Sequence, residues 1–198
     1  MRNQWYSDNR DLVKWSILMH LARMNTANRI LQIAYCQGSN FHGVEIDKRK
    51  MDIPEEVRTH FRDIRNIQKL VSPVMINIFD EVISDRKRYL AEAKKFISSY
   101  RKERCVVFLD PDTGLEPEKS EPNLGHVLAK EAKEFWDTLK PFDTLALYQH
   151  QTNRSGKPWE ETKRVQFEEA IGIPQGSVKI GRGLQLAKDV VLFYVQKV

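Results

Sequence analysis

Few cysteines and no long apolar run occur in this sequence, and both absences narrow the class of protein. Cys36 and Cys105 are the two cysteines among 198 residues, and no Cys/His spacing resembles a zinc site. Both lie in apolar, strand-like runs, which predicts reduced core thiols. No apolar stretch approaches the roughly 18–20 residues of a membrane span. The polar start, MRNQWYSDNRDLVKW, is unlike a signal peptide. We therefore expect a cytoplasmic protein with no membrane partner.

The composition is that of a globular protein with a modest basic excess. Apolar residues make up 41% of the chain and charged residues 30%, and the formal net charge is +5. The length suits one domain, so we predict a single α/β domain over 1–198, with 1–28 as a leading helical segment packed on it. The basic excess permits a nucleic acid, RNA or DNA, as partner. Charged side chains on solvent-exposed helix faces would also explain the basic excess. None of the short nucleic-acid-binding signatures is present.

Apolar runs that predict strands alternate with amphipathic segments that predict helices. The predicted strands are 29–36, 74–79, 105–109 and 143–149, and the predicted helices are 11–24, 54–70, 85–100, 125–140 and 159–171. Two further strands, 177–181 and 189–197, follow each other directly. Alternation predicts a doubly wound, mostly parallel sheet with helices on both faces, and the terminal pair predicts an antiparallel hairpin at one edge.

The most informative stretch is VVFLDPDTGLEP, in which an apolar strand ends in two aspartates. In an open parallel sheet, ligands bind beyond the carboxyl ends of the strands, so Asp110, Pro111 and Asp112 are candidate catalytic residues. The two carboxylates could share Mg²⁺, or accept hydrogen bonds from a substrate amine or hydroxyl. Pro-Asp-Thr-Gly is also a sequence typical of a turn, so a purely structural role for these residues is the alternative.

Polar residues after the other strands should reach the same edge of the sheet. His150 is a candidate general acid or base, and Asn153 and Arg154 could hold a phosphate or a carboxylate. Tyr148 ends the fourth strand and should lie beside the loop of the third. Trp159 either stacks on a base or belongs to the core as an aromatic of the following helix.

The loop after the first strand, QGSNFHG, is the candidate cofactor loop. Gln37, Gly38 and Ser39 open it, and the glycine permits a close approach of the backbone to a ligand. The pattern is not G-x-G-x-x-G, so the dinucleotide signal is weak. Asp80, at the end of the second strand, either binds ribose hydroxyls or caps a helix.

The order of elements resembles the Rossmann-fold S-adenosylmethionine-dependent methyltransferases. Within them it is loosely similar to the bacterial enzymes that methylate an adenine N6 of large-subunit ribosomal RNA. Those open with N-x-A-D-x-x-K-H on a leading helix, and residues 9–15 read Asn-Arg-Asp-Leu-Val-Lys-Trp here. They also carry D-P-P-Y after a strand, of which Asp110 and Pro111 match while Asp112 and Thr113 do not. The terminal strand pair matches the edge hairpin of that fold.

The resemblance implies a chemistry for these residues. Asp110 and the Pro111 carbonyl would hold an exocyclic amine and orient its lone pair toward the methyl group of S-adenosylmethionine. Loop 37–43 would lie near that cofactor and Asp80 near its ribose. Since the aromatic residue of D-P-P-Y is missing, Tyr148 or Trp159 would have to stack on a flipped base.

Three other classes stay open. Val106–Gly114 also resembles the first motif of haloacid-dehalogenase-type phosphohydrolases, an apolar strand followed by D-x-D. That resemblance implies Asp110 as nucleophile, Asp112 as general acid/base and bound Mg²⁺. A metal-dependent nuclease could use the same acidic loop. The weak cofactor loop favours instead a degenerate, non-catalytic Rossmann module that binds nucleic acid or protein.

Overall fold

A mostly parallel sheet forms the centre of the fold. The structure is a computed structural model that describes residues 8–37, 43–57, 63–118, 120–151, 158–183 and 185–198. Strands of the described chain are β1 (Arg29–Ala34), β2 (Gly43–Ile46), β3 (Arg49–Asp52), β4 (Met75–Phe79), β5 (Cys105–Asp110), β6 (Gly114–Leu115), β7 (His126–Val127), β8 (Thr144–His150), β9 (Lys179–Arg182) and β10 (Val190–Gln196). Helices are α1 (Asn9–Met24), α2 (Arg86–Ser98), α3 (Ala129–Thr138), α4 (Trp159–Ile171) and a 3₁₀ helix (Ile64–Lys69).

The strand order of the central sheet is β4-β1-β5-β8-β10-β9. The first four strands are parallel to one another, and β10 runs antiparallel to both β8 and β9. The short pairs β2-β3 and β6-β7 lie outside this sheet. The predicted fold class is thus confirmed as a mostly parallel α/β sheet with an antiparallel C-terminal hairpin.

The two faces of the sheet are covered by different helices because side chains alternate along each strand. Val107 and Leu109 of β5 belong to the cluster that holds the buried side chains of α2, α3 and α4. Val106 and Phe108 point the other way, into a cluster with α1. The Trp15 ring of α1 packs edge-on against Phe108, with ring centroids 6.2 Å apart.

Helix α1 begins at a well-formed cap. The Asp8 carboxylate accepts hydrogen bonds from the backbone N–H groups of Arg10 and Asp11, which would otherwise have no partner at a helix start. The helix expected over 11–24 is observed as α1, Asn9–Met24, and residues 1–7 of the expected leading segment 1–28 lie outside the described residues. No helix among the described residues is long and apolar enough to cross a membrane.

Two predicted helices differ from the structure. The segment 54–70 is not one helix where it is described: 55–57 are helical, and a separate 3₁₀ helix starts at the Asp63 cap, whose carboxylate accepts from Arg65 N. A capping aspartate offers the backbone a local alternative to continuing a helix. The helix expected over 125–140 begins only at Ala129, because the Glu131 carboxylate accepts from Leu128 N and fixes the start there.

Candidate functional site

The strand order contains a reversal point at which this kind of sheet binds ligands. From β1 the chain crosses to β4 on one side, and it then returns to β5 on the other side. In sheets of this kind ligands bind outside the carboxyl ends of the two strands at the reversal, here β1 and β5. Gln37 follows β1 and Asp112 follows β5, and Gln37 Nε2 donates to Asp112 Oδ2 over 2.9 Å. The residues predicted for the cofactor side and for the acceptor side thus meet at this point.

Asp110 lies at the bottom of the site and is bound on both carboxylate oxygens. It is 1% exposed. Lys14 Nζ lies 3.1 Å from Oδ1 and 3.4 Å from Oδ2, and Gln32 Nε2 donates to Oδ2 over 2.7 Å. Gln32 and Asp110 occupy neighbouring strands and Lys14 comes from α1, so three separate elements hold this carboxylate. Lys14 also pairs with Asp11 at 2.6 Å, one turn earlier on α1.

Burial and neighbouring charges determine the protonation states of Lys14 and Tyr148. Burial alone would lower the pKa of Lys14, but Asp110 and then Asp11 outweigh it, and the pKa of Lys14 is raised above its ordinary value. Its ammonium lies 4.8 Å from the centroid of the Tyr148 ring, a cation–π contact. The pKa of the Tyr148 hydroxyl is raised, mainly by burial. Lys14 is therefore a fixed cation and Tyr148 a neutral phenol at physiological pH.

A cleft of about 510 Å³ opens above these groups. It contains the four predicted catalytic residues, Asp110, Pro111, Asp112 and His150, and the predicted substrate-binding residue Tyr148. Its other lining residues come from α1 and the loop after β5: Asp8, Arg10, Asp11, Lys14 and Thr113. The structure thus brings the predicted catalytic residues to one concave surface that a ligand could enter.

An ionic network forms the rim of this cleft. Asp189, just before β10, accepts from Arg10 Nε over 3.2 Å, and it lies 3.1 Å from His150 Nε2. Arg10 also pairs with Asp8 at 3.2 Å. Burial would raise the pKa of Asp189, but Arg10 outweighs it and His150 adds to the effect, so the pKa of Asp189 is lowered. The rim is held in place by the N-terminus of α1 and the segment before β10.

The loop after β5 is fixed by Gln149 of β8, which is fully buried. Its Oε1 accepts from Leu115 N over 2.8 Å, and its Nε2 donates to the carbonyls of Thr113 and His150. Gly114 has φ +127°, and a Cβ there would lie 2.3 Å from Gln149 Oε1. Only glycine fits this backbone conformation so close to another side chain.

The remaining predicted residues do not all join the cleft. Asp80 directly follows β4 and pairs with Arg65 at 2.7 Å. The Arg65 side chain is 65% exposed. Trp159 is buried in the core cluster that also holds side chains of α2 and α3, and it does not line the cleft of Asp110, which agrees with the core alternative for this residue. The other predicted residues, Gly38, Ser39, Asn153 and Arg154, lie outside the described residues.

The geometry gives the magnesium alternative little support. Asp110 and Asp112 bind different partners, and the Lys14 ammonium already lies within 3.4 Å of both oxygens of Asp110. Among the described residues, no group of three or more His, Cys, Asp or Glu side chains could hold a metal ion. A shared cation at Asp110 would therefore have to displace Lys14 first.

Sequence reasoning missed the residues that surround Asp110. Lys14 and Asp11 belong to the segment that resembles N-x-A-D-x-x-K-H, and their spacing of three places them on one face of a helix. Gln32 interrupts the apolar run ILQIA of β1, and a buried polar residue in such a run is a sequence signal for a specific partner. Nothing local marks Asp189 or Gln149 as part of the site.

Comparisons with known proteins do not establish a family for this chain. No family model and no curated protein matches the chain. A crystal structure of a suspected methyltransferase from Thermobifida fusca YX is similar over 96% of this chain and 80% of that chain, with 12% identity and a TM-score of 0.41. A likeness at this level supports no argument about activity. The strand order and the antiparallel β10 define the chain as a doubly wound α/β protein with a mostly parallel sheet.

Proposed function

We propose that this protein transfers a methyl group from S-adenosylmethionine to an amine, with a nucleic-acid base as the candidate acceptor. The main support for this proposal is the hydrogen bond between Gln37 and Asp112. It lies at the reversal point between β1 and β5, and Asp112 also lines the cleft above Asp110. The cofactor would lie on the β1-β4 side of this point and the acceptor on the β5-β8 side.

The residues on the cofactor side fit a nucleoside in part. Asp80 ends β4, beside β1, where a carboxylate can accept from ribose hydroxyls. Its present partner, Arg65, is a largely exposed side chain, so exchanging that contact for a ligand costs little. When bound, S-adenosylmethionine supplies a methyl group activated by a sulfonium. The described residues hold Gln37 in place for that ligand through the bond to Asp112.

On the acceptor side, Asp110 and Pro111 would orient the amine. A bound S-adenosylmethionine would supply the methyl group, with the carbon–sulfur electron pair leaving on sulfur, and the residues of this chain would have to hold the amine and take up the proton that it loses. Lys14 holds the Asp110 carboxylate in one orientation, in which it would accept a hydrogen bond from the amine. His150 lines the same cleft and is our candidate to receive the proton.

Calorimetric titration with S-adenosylhomocysteine, with and without Mg²⁺, tests the cofactor site. We expect binding in the micromolar range that does not require Mg²⁺, and about tenfold weaker binding for Asp80→Asn, as typical for loss of one charge-assisted hydrogen bond. Asp137→Asn, on the exposed surface of α3, is the matched control and should bind as wild type. Absence of binding in wild type would reject the proposal, and heat from Mg²⁺ alone would favour phosphoryl chemistry.

A methylation assay tests the acceptor side. Asp110→Asn should abolish methyl transfer from labelled S-adenosylmethionine to mixed RNA or DNA while leaving S-adenosylhomocysteine affinity unchanged. If Asp110→Asn transfers methyl groups at the wild-type rate, the proposed role of this residue is wrong.

One observation favours a second candidate, a non-catalytic Rossmann module. Both oxygens of Asp110 are bound by Lys14 and Gln32 within the chain, which is also what a purely structural carboxylate would show. This candidate predicts neither binding of S-adenosylhomocysteine nor methyl transfer.

A further inference from the structure

The basic excess of the chain is concentrated in one segment. Residues 86–104, RKRYLAEAKKFISSYRKER, carry eight Lys or Arg against two Glu, a net charge of +6. The whole chain carries +5, so all the other residues together carry −1. This segment is α2 and the turn that follows it. The positive charge of the protein is therefore a local feature and not an even coat of solvating residues.

The fold turns this charge outward. Tyr89, Leu90, Ala93 and Ile97 face the core, so Arg88, Ala91 and Lys95 point away from it. Arg88 and Lys95 lie seven residues apart on one side of the helix, about 10 Å along its axis. Arg101 and Lys102 continue the basic surface in the turn after α2, where both are exposed.

Most of these cations are not neutralised within the molecule. Lys87, Arg88, Arg101 and Lys102 have no carboxylate within 4 Å among the residues that the structure describes. Lys95 is 81% exposed and reaches Glu92 only at 3.8 Å. Of the other cations in this segment, Arg86 and Lys94 pair with Glu131 and Glu134 of α3. Free cations on an exposed helix repel one another, and they are stabilised when a polyanion binds.

The position of α2 connects this surface to the cleft. Because α2 follows the parallel strand β4, it begins at the carboxyl edge of the sheet, where the ligand crevice opens. Its first residue, Arg86, donates to the carbonyls of Asn123 and His126 in the loop that packs on Asp112. A polymer lying along α2 therefore reaches the edge of the sheet that holds the candidate site.

We propose that the outer face of α2 and the following turn, 87–102, bind the phosphate backbone of a nucleic acid. Small residues, Ala91, Ser98 and Ser99, lie between the cations and let a backbone approach the helix closely. An anionic membrane fits this surface less well, since an interfacial helix needs large apolar side chains that insert among lipids. This proposal does not depend on methyl transfer, because phosphate contacts bind without any reaction.

Salt-dependent binding measures these contacts directly. A fluorescent single-stranded RNA and a DNA duplex, each of about 20 nucleotides per strand, are titrated between about 50 and 200 mM potassium chloride. We compare wild type with the triple variant Arg88→Gln, Lys95→Gln, Lys102→Gln. Loss of three phosphate contacts should lower the slope of log affinity against log salt by about 2 to 3, and should weaken binding at least about tenfold at low salt.

Two controls separate this surface from net charge and from folding defects. The triple variant Lys130→Gln, Lys179→Gln, Lys188→Gln removes the same charge from exposed positions on other elements and should keep the wild-type slope. Arg88→Lys, Lys95→Arg, Lys102→Arg keeps the charge and should also bind as wild type. Circular dichroism confirms that each variant is folded.

Several outcomes would overturn the proposal. Wild type that fails to bind either oligonucleotide at low salt, or two neutralising triples that weaken binding equally, would reject it. Sedimentation with phosphatidylserine vesicles in the absence of oligonucleotide binding would assign the surface to membranes instead. If wild type binds oligonucleotides as expected but not S-adenosylhomocysteine, the proposed methyl transfer fails and this surface stands.

Discussion

Replacing Lys14 by methionine should destabilise the fold strongly, because the lysine is the cation of a buried cluster. Lys14 is 6% exposed, and it lies 2.6 Å from Asp11 Oδ1 and 3.1 Å from Asp110 Oδ1. Methionine fills similar space without a charge, so two nearly buried carboxylates lose their cation. Breaking a buried ion pair from one side costs about 3–5 kcal/mol. For a domain of this size we expect a fall in Tm of about 6 to 20 °C.

A double-mutant cycle with Asp110→Asn isolates the pair itself. In wild type, Asp110→Asn removes an ionic partner of Lys14, whereas in Lys14→Met it removes a carboxylate that has become uncompensated. The second change should therefore cost much less than the first, or even stabilise, with a coupling energy of about 1 to 3 kcal/mol. The exposed pair Lys133–Asp137 of α3 is the matched control and should give about 0.3–0.5 kcal/mol.

Urea denaturation followed by tryptophan fluorescence measures these energies. Because the pKa of Lys14 is raised, its contribution is complete below the ordinary lysine pKa of about 10.4 and is lost as pH rises above it. The difference between wild type and Lys14→Met should thus be constant between about pH 8 and 10. A coupling energy no larger than that of the exposed pair would refute the view that Asp110 depends on Lys14.

Three further changes probe other parts of the structure. Gly114→Ala should cost more than Gly176→Ala in urea denaturation, since both have positive φ but only Gly114 lacks space for a methyl group; equal losses would contradict the packing argument. Burial lowers the pKa of His126, so the unfolded chain binds a proton first and stability falls as pH drops below about 6.5. His126→Asn should reduce that slope between about pH 6.5 and 5, and an unchanged slope would exclude this histidine as its source. Burial raises the pKa of Cys36 to about 11 and of Cys105 to about 12, so both should react with Ellman's reagent at neutral pH only after unfolding; fast reaction of the native protein would show that they are accessible.

The fold could be predicted because its strands and most of its helices are each marked by a pattern within a short stretch of sequence. Nearly unbroken apolar runs marked the central strands, and the terminal strand pair marked the antiparallel β10. The bounds of α4, Trp159–Ile171, agree with those expected from periodicity. The errors arose where side chains compete with a regular helix, as at the Asp63 cap and at Glu131, which holds the start of α3.

The candidate site was predictable only as a set of strand ends. Topology requires that residues after parallel strands meet at one edge, so Asp110, Asp112 and His150 could be placed together without a structure. Their partners could not, because Lys14 is 96 residues and Gln32 is 78 residues from Asp110 in the chain. Such contacts depend on how α1 packs across the sheet, and no short-range pattern encodes that.

The position of β10 has a consequence for how the chain folds during synthesis. β9 is bound to the central sheet through β10, although it is made earlier. While the ribosome is still adding residues 190–196, β9 lacks its neighbour and the outer edge of β8 is unpaired. An unpaired edge is a template for wrong pairing with another chain. The interval before β10 emerges is therefore the stage at which we expect the nascent protein to be most prone to aggregation and most dependent on chaperones.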